Sequence, residues 1–181
     1  MVFLPEIDGT LTIRSEPETF LRAFHRRAKS GLLTGSPQRR SSYCASMPDA
    51  HHLSIRAADW KSAINVGLND LDLEWAGKAT LKYRVRYWRW TLFCVGLGAV
   101  LAALGITFVL AFDARAYLAQ GPESMRWGLS VDQSVRLLWV FIGFWGFVWP
   151  WLLVALHKRP LHRLVQQLAA AVDEAAVSSQ Q

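Results

Sequence analysis

Two uninterrupted apolar runs dominate the pattern of hydrophobic and polar positions, Trp90 to Phe112 and Leu137 to Leu156. Neither run contains Asp, Glu, Lys, Arg or His. A helix rises about 1.5 Å per residue and the hydrocarbon core of a bilayer is about 30 Å thick, so each run is long enough to cross it. Core helices of soluble proteins are usually shorter and keep a polar side, which neither run has. We therefore predict two transmembrane helices that form a hairpin.

Strand and helix patterns precede the first run. Thr10 to Arg14 alternates polar and apolar residues, which predicts a short strand. Ser15 and Glu18 then form the S-x-x-E capping box of a helix that ends at Gly31. The apolar stripe of this helix consists of Phe20, Leu21, Phe24 and Ala28.

Period-two alternation predicts the other strands of this region. Two lie near Ser42 to Ser46 and at Leu53 to Ala57. A third begins at Ile64, and its side chains change parity between Gly67 and Asp70, which predicts a bulge or a turn. The last strand runs from Thr80 to Trp88. One helix on a small, mainly antiparallel sheet gives an α+β domain.

The chain is therefore predicted to contain five segments. These are an α+β domain at 1–88, a first transmembrane helix at 89–112, a loop at 113–136, a second transmembrane helix at 137–156 and a C-terminal amphipathic helix at 157–181. Ser130 and Gln133 form a capping box for the helix that leads into the second span, and Pro150 is expected to kink that span. The tail helix is expected to begin at Pro160, and its apolar stripe lies on the membrane, on the domain or on a second copy.

Lys and Arg residues are distributed unequally on the two sides of the predicted hairpin. Residues 1–89 carry 14 basic and 9 acidic groups, residues 113–136 carry 3 and 3, and residues 157–181 carry 3 and 2. The corresponding net charges are +5, 0 and +1. Because basic segments stay in the cytoplasm, both termini are predicted to be cytoplasmic and the loop external. We expect a multi-pass protein of a bacterial inner membrane.

Basic residues alternate with aromatic ones just before the first span. Lys82, Arg84, Arg86 and Arg89 are predicted to contact anionic lipid headgroups, at about 1 kcal/mol for each cation. Their position at the membrane explains the basic character of this segment, so we expect no nucleic-acid partner.

Small residues recur at helix-packing spacing within the two spans. We predict that they bring the two helices into close contact. They are Gly98, Ala102, Gly143 and Gly146. Because neither span contains an ionisable group, an ion path or a proton relay within one hairpin is disfavoured.

The segment Glu6 to Thr12 resembles the first motif of the haloacid-dehalogenase phosphatases, D-x-D-G-T-L-T, in which the first acid is the nucleophile and the second the acid/base. Glu6 stands at the nucleophile position. The region before the first span is too short for the doubly wound domain of that family and its later motifs. We therefore expect Asp8 and Gly9 to form a turn before a strand, and no phosphatase site.

Cys44, His51 and His52 carry metal-ligating atoms, and Asp49 or His25 could complete a set of four. Their spacing does not match that of known zinc sites. We expect a polar loop here, and neither a metal nor another cofactor.

The sequence favours a non-catalytic integral membrane protein, which is a membrane-anchored binding, accessory or regulatory module with a small cytoplasmic domain at the bilayer surface. Its expected partners are anionic membrane lipids, with a protein partner or a homo-oligomer as further candidates. The alternative is a membrane-bound enzyme that acts on a lipid-like substrate, with Asp59, Asp70, Asp72 or Glu74 as acids. An oligomeric channel or transport component is a third, less favoured class.

Overall fold

The computed structural model describes residues 5–30, 43–77, 79–122 and 128–178, and the chain divides into two compact units. The first unit, Met1–Thr91 together with Leu156–Gln181, contains the β-sheet, and we call it the sheet domain. The second unit, Leu92–Ala155, contains only helices among its described residues, and we call it the helical unit. The chain thus leaves the sheet domain after Thr91 and returns to it at Leu156.

Five antiparallel strands form the sheet, in the spatial order β1-β5-β4-β3-β2. Their bounds are Glu6–Thr12 (β1), Tyr43–Asp49 (β2), His52–Ala57 (β3), Asp70–Gly77 (β4) and Thr80–Arg86 (β5). β1 and β2 lie at opposite edges, and helix α1 (Pro17–Ser30) lies between them in the chain. The predicted α+β class is confirmed, and the described sheet is antiparallel throughout.

One face of the sheet is apolar, because every second residue along the strands is apolar. Its buried side chains are Leu11, Leu53, Ile55, Leu71, Leu73, Leu81, Tyr83 and Val85. Helix α1 contacts β2 and β3, and the four residues of its predicted stripe are all fully buried. Burial of a large apolar side chain contributes about 1.5 to 3 kcal/mol, so this face holds the core of the domain.

The C-terminal part of helix α6 (Trp149–Ser178) is the second helix of the sheet domain. Its apolar stripe consists of Leu161, Val165, Ala169, Val172 and Ala176, none of them more than 5% exposed. The Tyr83 hydroxyl forms a hydrogen bond with Nδ1 of His162 on this helix. The sequence left three surfaces for this stripe: the membrane, the domain or a second copy. The structure shows that it packs on the domain.

Asp173 of α6 binds the segment between β1 and α1. Its carboxylate accepts hydrogen bonds from the backbone N–H groups of Arg14 (2.9 Å) and Ser15 (3.0 Å) and from the Ser15 hydroxyl (2.5 Å). Burial by itself raises the pKa of Asp173, but the hydrogen bonds from Ser15 and Arg14 and the charge of Arg14 outweigh it, and the pKa is lower than usual. The predicted capping box is therefore wrong, since the Ser15 hydroxyl serves α6 and Glu18 pairs with Arg22.

Helix α2 (Trp60–Val66) occupies the place where we predicted a strand beginning at Ile64. The Asp59 side chain caps it by accepting a hydrogen bond from the Ser62 N–H at 2.6 Å. Gly67 ends it with a φ of +74°, a conformation that glycine adopts without strain. The strand prediction is wrong for Ile64 to Leu68, because these two end signals outweigh a short alternation of apolar residues. It is confirmed after the predicted break, where β4 (Asp70–Gly77) lies.

Strand β1 begins at Glu6, four residues earlier than predicted, so Asp8 and Gly9 lie within a strand and not in a turn. Gly9 is opposite Tyr83 on β5, and a Cβ at Gly9 would overlap the Tyr83 ring. Glycine therefore occurs here because a neighbouring ring crosses its backbone, which the sequence pattern does not reveal.

The helical unit contains two helices that are long and apolar enough to cross a membrane. They belong to α3 (Trp88–Ala111) and to the continuous helical stretch formed by α5 (Val131–Gly143), a π-helical segment (Phe144–Val148) and α6. Helix α4 (Ala114–Gln120) lies between them in the chain. The predicted capping box of Ser130 and Gln133 is present at the start of α5 and is confirmed.

Small residues lie where α3 meets the second long helix. A Cβ at Gly98 would meet Pro150 and the Gly146 carbonyl oxygen, and a Cβ at Gly146 would meet Ala102. A Cβ at Gly143, in contrast, would meet no described atom of α3 within 4 Å. The structure thus brings together three of the four small residues singled out from the sequence.

The two prolines of the second long helix lie inside it. Pro150 lies two residues after the π-helical segment, whose wider turn accommodates a residue that lacks an N–H group. Pro160 lies within α6 and does not begin it, so our predicted start of the tail helix is wrong. The buried stripe that begins at Leu161 explains why the helix continues through this proline.

We predict that Asp173→Ala lowers the free energy of unfolding by about 2 to 4 kcal/mol, because three donors lose a buried charged acceptor. The measurement is denaturant unfolding of the full chain in detergent, together with hydrogen exchange at the Ser15 amide. Glu174→Ala, at the exposed neighbouring position, is the matched control. Equal effects of the two variants would contradict the role of Asp173.

The stability that Asp173 contributes depends on pH. Because folding lowers the pKa of Asp173, this stability is complete above the ordinary carboxyl pKa and is lost as the pH falls through the lowered value.

Candidate functional site

The sheet face opposite the apolar core is polar, and we call it the open face. Its side chains form three rows across the five strands, because the register places residues of equal parity side by side. In the order β1, β5, β4, β3, β2, the rows are Glu6-Arg86-Asp70-Arg56-Cys44, Asp8-Arg84-Asp72-Ser54-Ser46 and Thr10-Lys82-Glu74-His52-Asp49.

Charges of opposite sign alternate from strand to strand on the open face. β1 and β4 supply carboxylates, whereas β5 supplies the three cations between them. Arg84 Nε lies 2.7 Å from Asp8 Oδ1, and Arg86 lies 4.0 Å from Asp72. Opposite charges across strands stabilise their pairing. The three rows contain six acidic and four basic residues, so the open face is a pattern of alternating charges and not a basic patch.

A shallow concavity of about 930 Å³ lies on the open face. Two polar atoms in its lining, His52 Nε2 and Ser54 Oγ, are buried and have no hydrogen-bond partner among the residues that the structure describes. The two side chains are thus not hydrogen-bonded to each other, so they do not form a nucleophile with its base. The concavity is lined by charged and polar side chains of all five strands.

The four acids considered for an enzyme are found in two different settings. Asp70, Asp72 and Glu74 lie on β4 in the open face, where the register sets each of them beside a β5 cation. Asp59 instead caps helix α2. The structure thus gives three of these acids a place in the charge pattern and the fourth a structural role.

Among the described residues, no group of three or more His, Cys, Asp and Glu side chains lies close enough to hold a metal ion. Cys44 is exposed on β2, opposite Arg56. The His51 ring packs on Trp75 with 4.8 Å between centroids, and His25 Nε2 lies 3.2 Å from the Ala45 carbonyl oxygen. The side chains named as candidate zinc ligands therefore do not converge.

The residues that resemble the first phosphatase motif also lie on the open face. Glu6 and Asp8 are part of an edge strand in an antiparallel sheet, and Asp8 pairs with Arg84. The described strands therefore do not form the doubly wound parallel domain that the resemblance implies. The absence of a phosphatase site stays a prediction.

An aromatic cluster at the ends of the two long helices was not predicted from the sequence. The His157 ring stacks on Trp90 with 4.1 Å between centroids, and Tyr87 meets it edge-on at 5.5 Å. His157 Nε2 also lies 3.4 Å from the Gly67 carbonyl oxygen. Burial lowers the pKa of His157, opposed in part by this hydrogen bond, and burial raises the pKa of Tyr87 to about 12. Burial therefore favours the uncharged form of both rings.

Arg89 lies between two exposed tryptophans. Its guanidinium carbon is 5.6 Å from the Trp60 ring centroid and 5.4 Å from that of Trp88. The Nη1 group of Arg89 donates a hydrogen bond to the Ala57 carbonyl oxygen at 3.2 Å. Such stacking is worth about 0.5 to 2 kcal/mol. The expected contact of Arg89 and the three β5 cations with lipid headgroups is not tested by these contacts, and the carboxylates beside Lys82, Arg84 and Arg86 favour a different role for those three.

We predict that replacing Lys82, Arg84 and Arg86 together by Gln reduces hydrogen-exchange protection of residues 80–86 by the same amount in anionic and in neutral nanodiscs. The reason is that their nearest partners are carboxylates of the sheet itself. A loss confined to anionic nanodiscs would instead support the headgroup contact. Arg26→Gln with Lys29→Gln, two exposed positions on α1, controls for lost charge.

Comparison with known proteins gives the open face no assignment. No protein-family model matches the chain, and neither a curated protein nor a solved structure matches it. The geometry, charge and burial of the described residues are therefore the grounds on which a function is inferred.

Proposed function

We propose that this chain is a multi-pass protein of a bacterial inner membrane, with two spans and both termini in the cytoplasm. The sheet domain is a non-catalytic module that binds a protein partner at the membrane. In this proposal the partner uses the open face, and the hairpin keeps the domain at the bilayer.

Apolar exposure in the helical unit is the observation that carries the membrane assignment. Only 17% of the most apolar stretch of each long helix is buried, whereas the core helix of a soluble protein is mostly buried. Side chains such as Leu104, Phe108, Leu110, Val140 and Phe147 are 47% to 70% exposed. Soluble proteins rarely expose apolar patches of this size, but lipid tails cover them without cost.

The ends of the two apolar runs support the same assignment. Trp88 and Trp90 lie at the start of α3, where amphipathic rings favour the headgroup region. Lys158, Arg159 and Arg163 follow the second run. With net charges of +5, 0 and +1 before, between and after the runs, the basic segments are expected on the cytoplasmic side.

A binding role is supported by the chemistry of the open face. Its cations and carboxylates are set beside one another, and Ser54 and His52 are not linked as a catalytic pair. Charge patterns of this kind give specificity and orientation to protein association.

Topology is tested with reporter fusions. We predict that a fusion after Gln181 reports the cytoplasm and that one inserted after Pro122 reports the opposite side, because the region around Pro122 carries no net positive charge. A fusion before Glu6 should agree with the one after Gln181. The same side for all three fusions would refute the hairpin.

The binding surface is tested through Cys44, which is exposed on the open face, whereas Cys94 is buried. We predict that a photoreactive group on Cys44 yields a defined crosslinked partner in membranes, and that Arg84→Glu reduces its yield about tenfold by reversing a charge of the pattern. The control is Cys44→Ser with Lys29→Cys, which moves the probe to α1. A yield that is unchanged by Arg84→Glu, or equal from position 29, would exclude the open face as the site.

A further inference from the structure

A second surface of the sheet domain carries a different charge pattern. It is a groove of about 600 Å³ between Val66, at the end of α2, and the part of α6 from His157 to Gln167. This groove has no counterpart among the sites predicted from the sequence. The inference from this groove rests on the proposed membrane location, because the groove begins one residue after the second apolar run ends at Leu156.

Arg159 and Arg163 give the groove its charge. They lie four residues apart on α6, so both extend from the same face of the helix. Both residues are exposed, and no carboxylate of the described chain lies within 4.0 Å of either guanidinium group. The described residues that line the groove include no acid. Like charges at this spacing destabilise a helix, and an anion between them would remove that cost.

This arrangement differs from that of the basic residues on the open face. Arg84 and Arg86 each lie beside carboxylates of neighbouring strands. Arg89 is stacked between two tryptophan rings. Among the described cations near the apolar runs, Arg159 and Arg163 therefore offer a guanidinium pair whose charge the domain does not balance.

Gln167 extends the same face by one more turn of α6, and its amide adds a donor to the groove. Val66, Pro160 and Leu164 supply apolar walls beside the charged groups. Two cations beside an apolar wall match a phosphodiester attached to glycerol better than they match a fully hydrated ion.

The position of the arginines along the helix favours the same ligand. Arg159 and Arg163 are three and seven residues beyond Leu156, which places them about 5 and 10 Å further along the helix axis. The headgroup region of a bilayer extends roughly 5 to 8 Å beyond the hydrocarbon core on each side. Arg159 lies at this level, and the long side chain of Arg163 can reach it because helical side chains tilt toward the N-terminal end of their helix.

We propose that this groove binds the phosphate of an anionic phospholipid. Arg159 and Arg163 pair with the phosphate oxygens, and the apolar wall at Pro160 contacts the glycerol. The groove thereby binds the part of α6 next to the second apolar run to the headgroup region.

The test is native mass spectrometry of the full chain in detergent with equal amounts of phosphatidylglycerol and phosphatidylcholine of the same acyl length. Wild type is expected to retain phosphatidylglycerol about tenfold better. Arg159→Gln with Arg163→Gln should abolish this preference, and Arg159→Lys with Arg163→Lys should keep part of it. Arg26→Gln with Lys29→Gln removes the same charge from α1 and should change nothing.

Unchanged preference in the Arg159→Gln, Arg163→Gln variant, or an equal loss in the α1 control, would overturn the proposal. Displacement of the lipid by millimolar inorganic phosphate would assign the groove to free phosphate and would also overturn it. Hydrogen exchange at the Ser15 amide verifies that each variant is folded. If reporter fusions confirm the hairpin but no lipid is retained, only the lipid site fails; if the hairpin itself fails, so does the proposed function.

Discussion

Contacts between the two ends of the chain hold the sheet domain together. Asp173 binds backbone and side-chain donors of Arg14 and Ser15 across 159 and 158 positions of sequence, and Tyr83 binds His162 across 79. The helical unit, Leu92–Ala155, lies between the paired segments in the chain. The core of the sheet therefore stays incomplete until α6 has returned to it. In a membrane, this makes completion of the domain depend on insertion of both apolar helices, since α6 continues from the second.

The sequence predicted those features that depend on neighbouring residues. Apolar runs without charge identify the two long helices, and the stripe around Phe20 and Phe24 identifies α1. Ser130 and Gln133 identify the start of α5 because both halves of that capping box lie within one turn. The same S-x-x-E pattern failed at Ser15, whose hydroxyl donates to a residue far away in the sequence. Local signals are reliable until a distant partner competes for the same atoms.

The open face could be predicted only in part, for a related reason. Three of its strands each carry charges of one sign on this face, acidic on β1 and β4 and basic on β5, and this is visible in the sequence. The alternation of charge across these strands depends on β5 lying between β1 and β4, and the order of the strands in the sheet decides this. Without that order, the cations of β5 resemble a basic segment beside a membrane. Helix α2 was missed because Ile64 and Val66 alternate as residues of a strand do. The alternation covers too few residues to outweigh the caps at Asp59 and Gly67.

Basic residues near the apolar runs thus fall into two groups with different physical roles. Arg84 and Arg86 of β5 are paired with carboxylates across strands, and exposed pairs of this kind contribute at most about 1 kcal/mol each, so they order the open face more than they stabilise it. Arg159 and Arg163 have no such partner among the described residues, and their field extends into solvent to about a Debye length, roughly 10 Å at moderate salt. A negatively charged surface would be attracted to α6 in preference to the open face. The open face would then be left for a partner whose charges alternate, because such a partner gains from an alternating pattern that a uniformly anionic membrane cannot use.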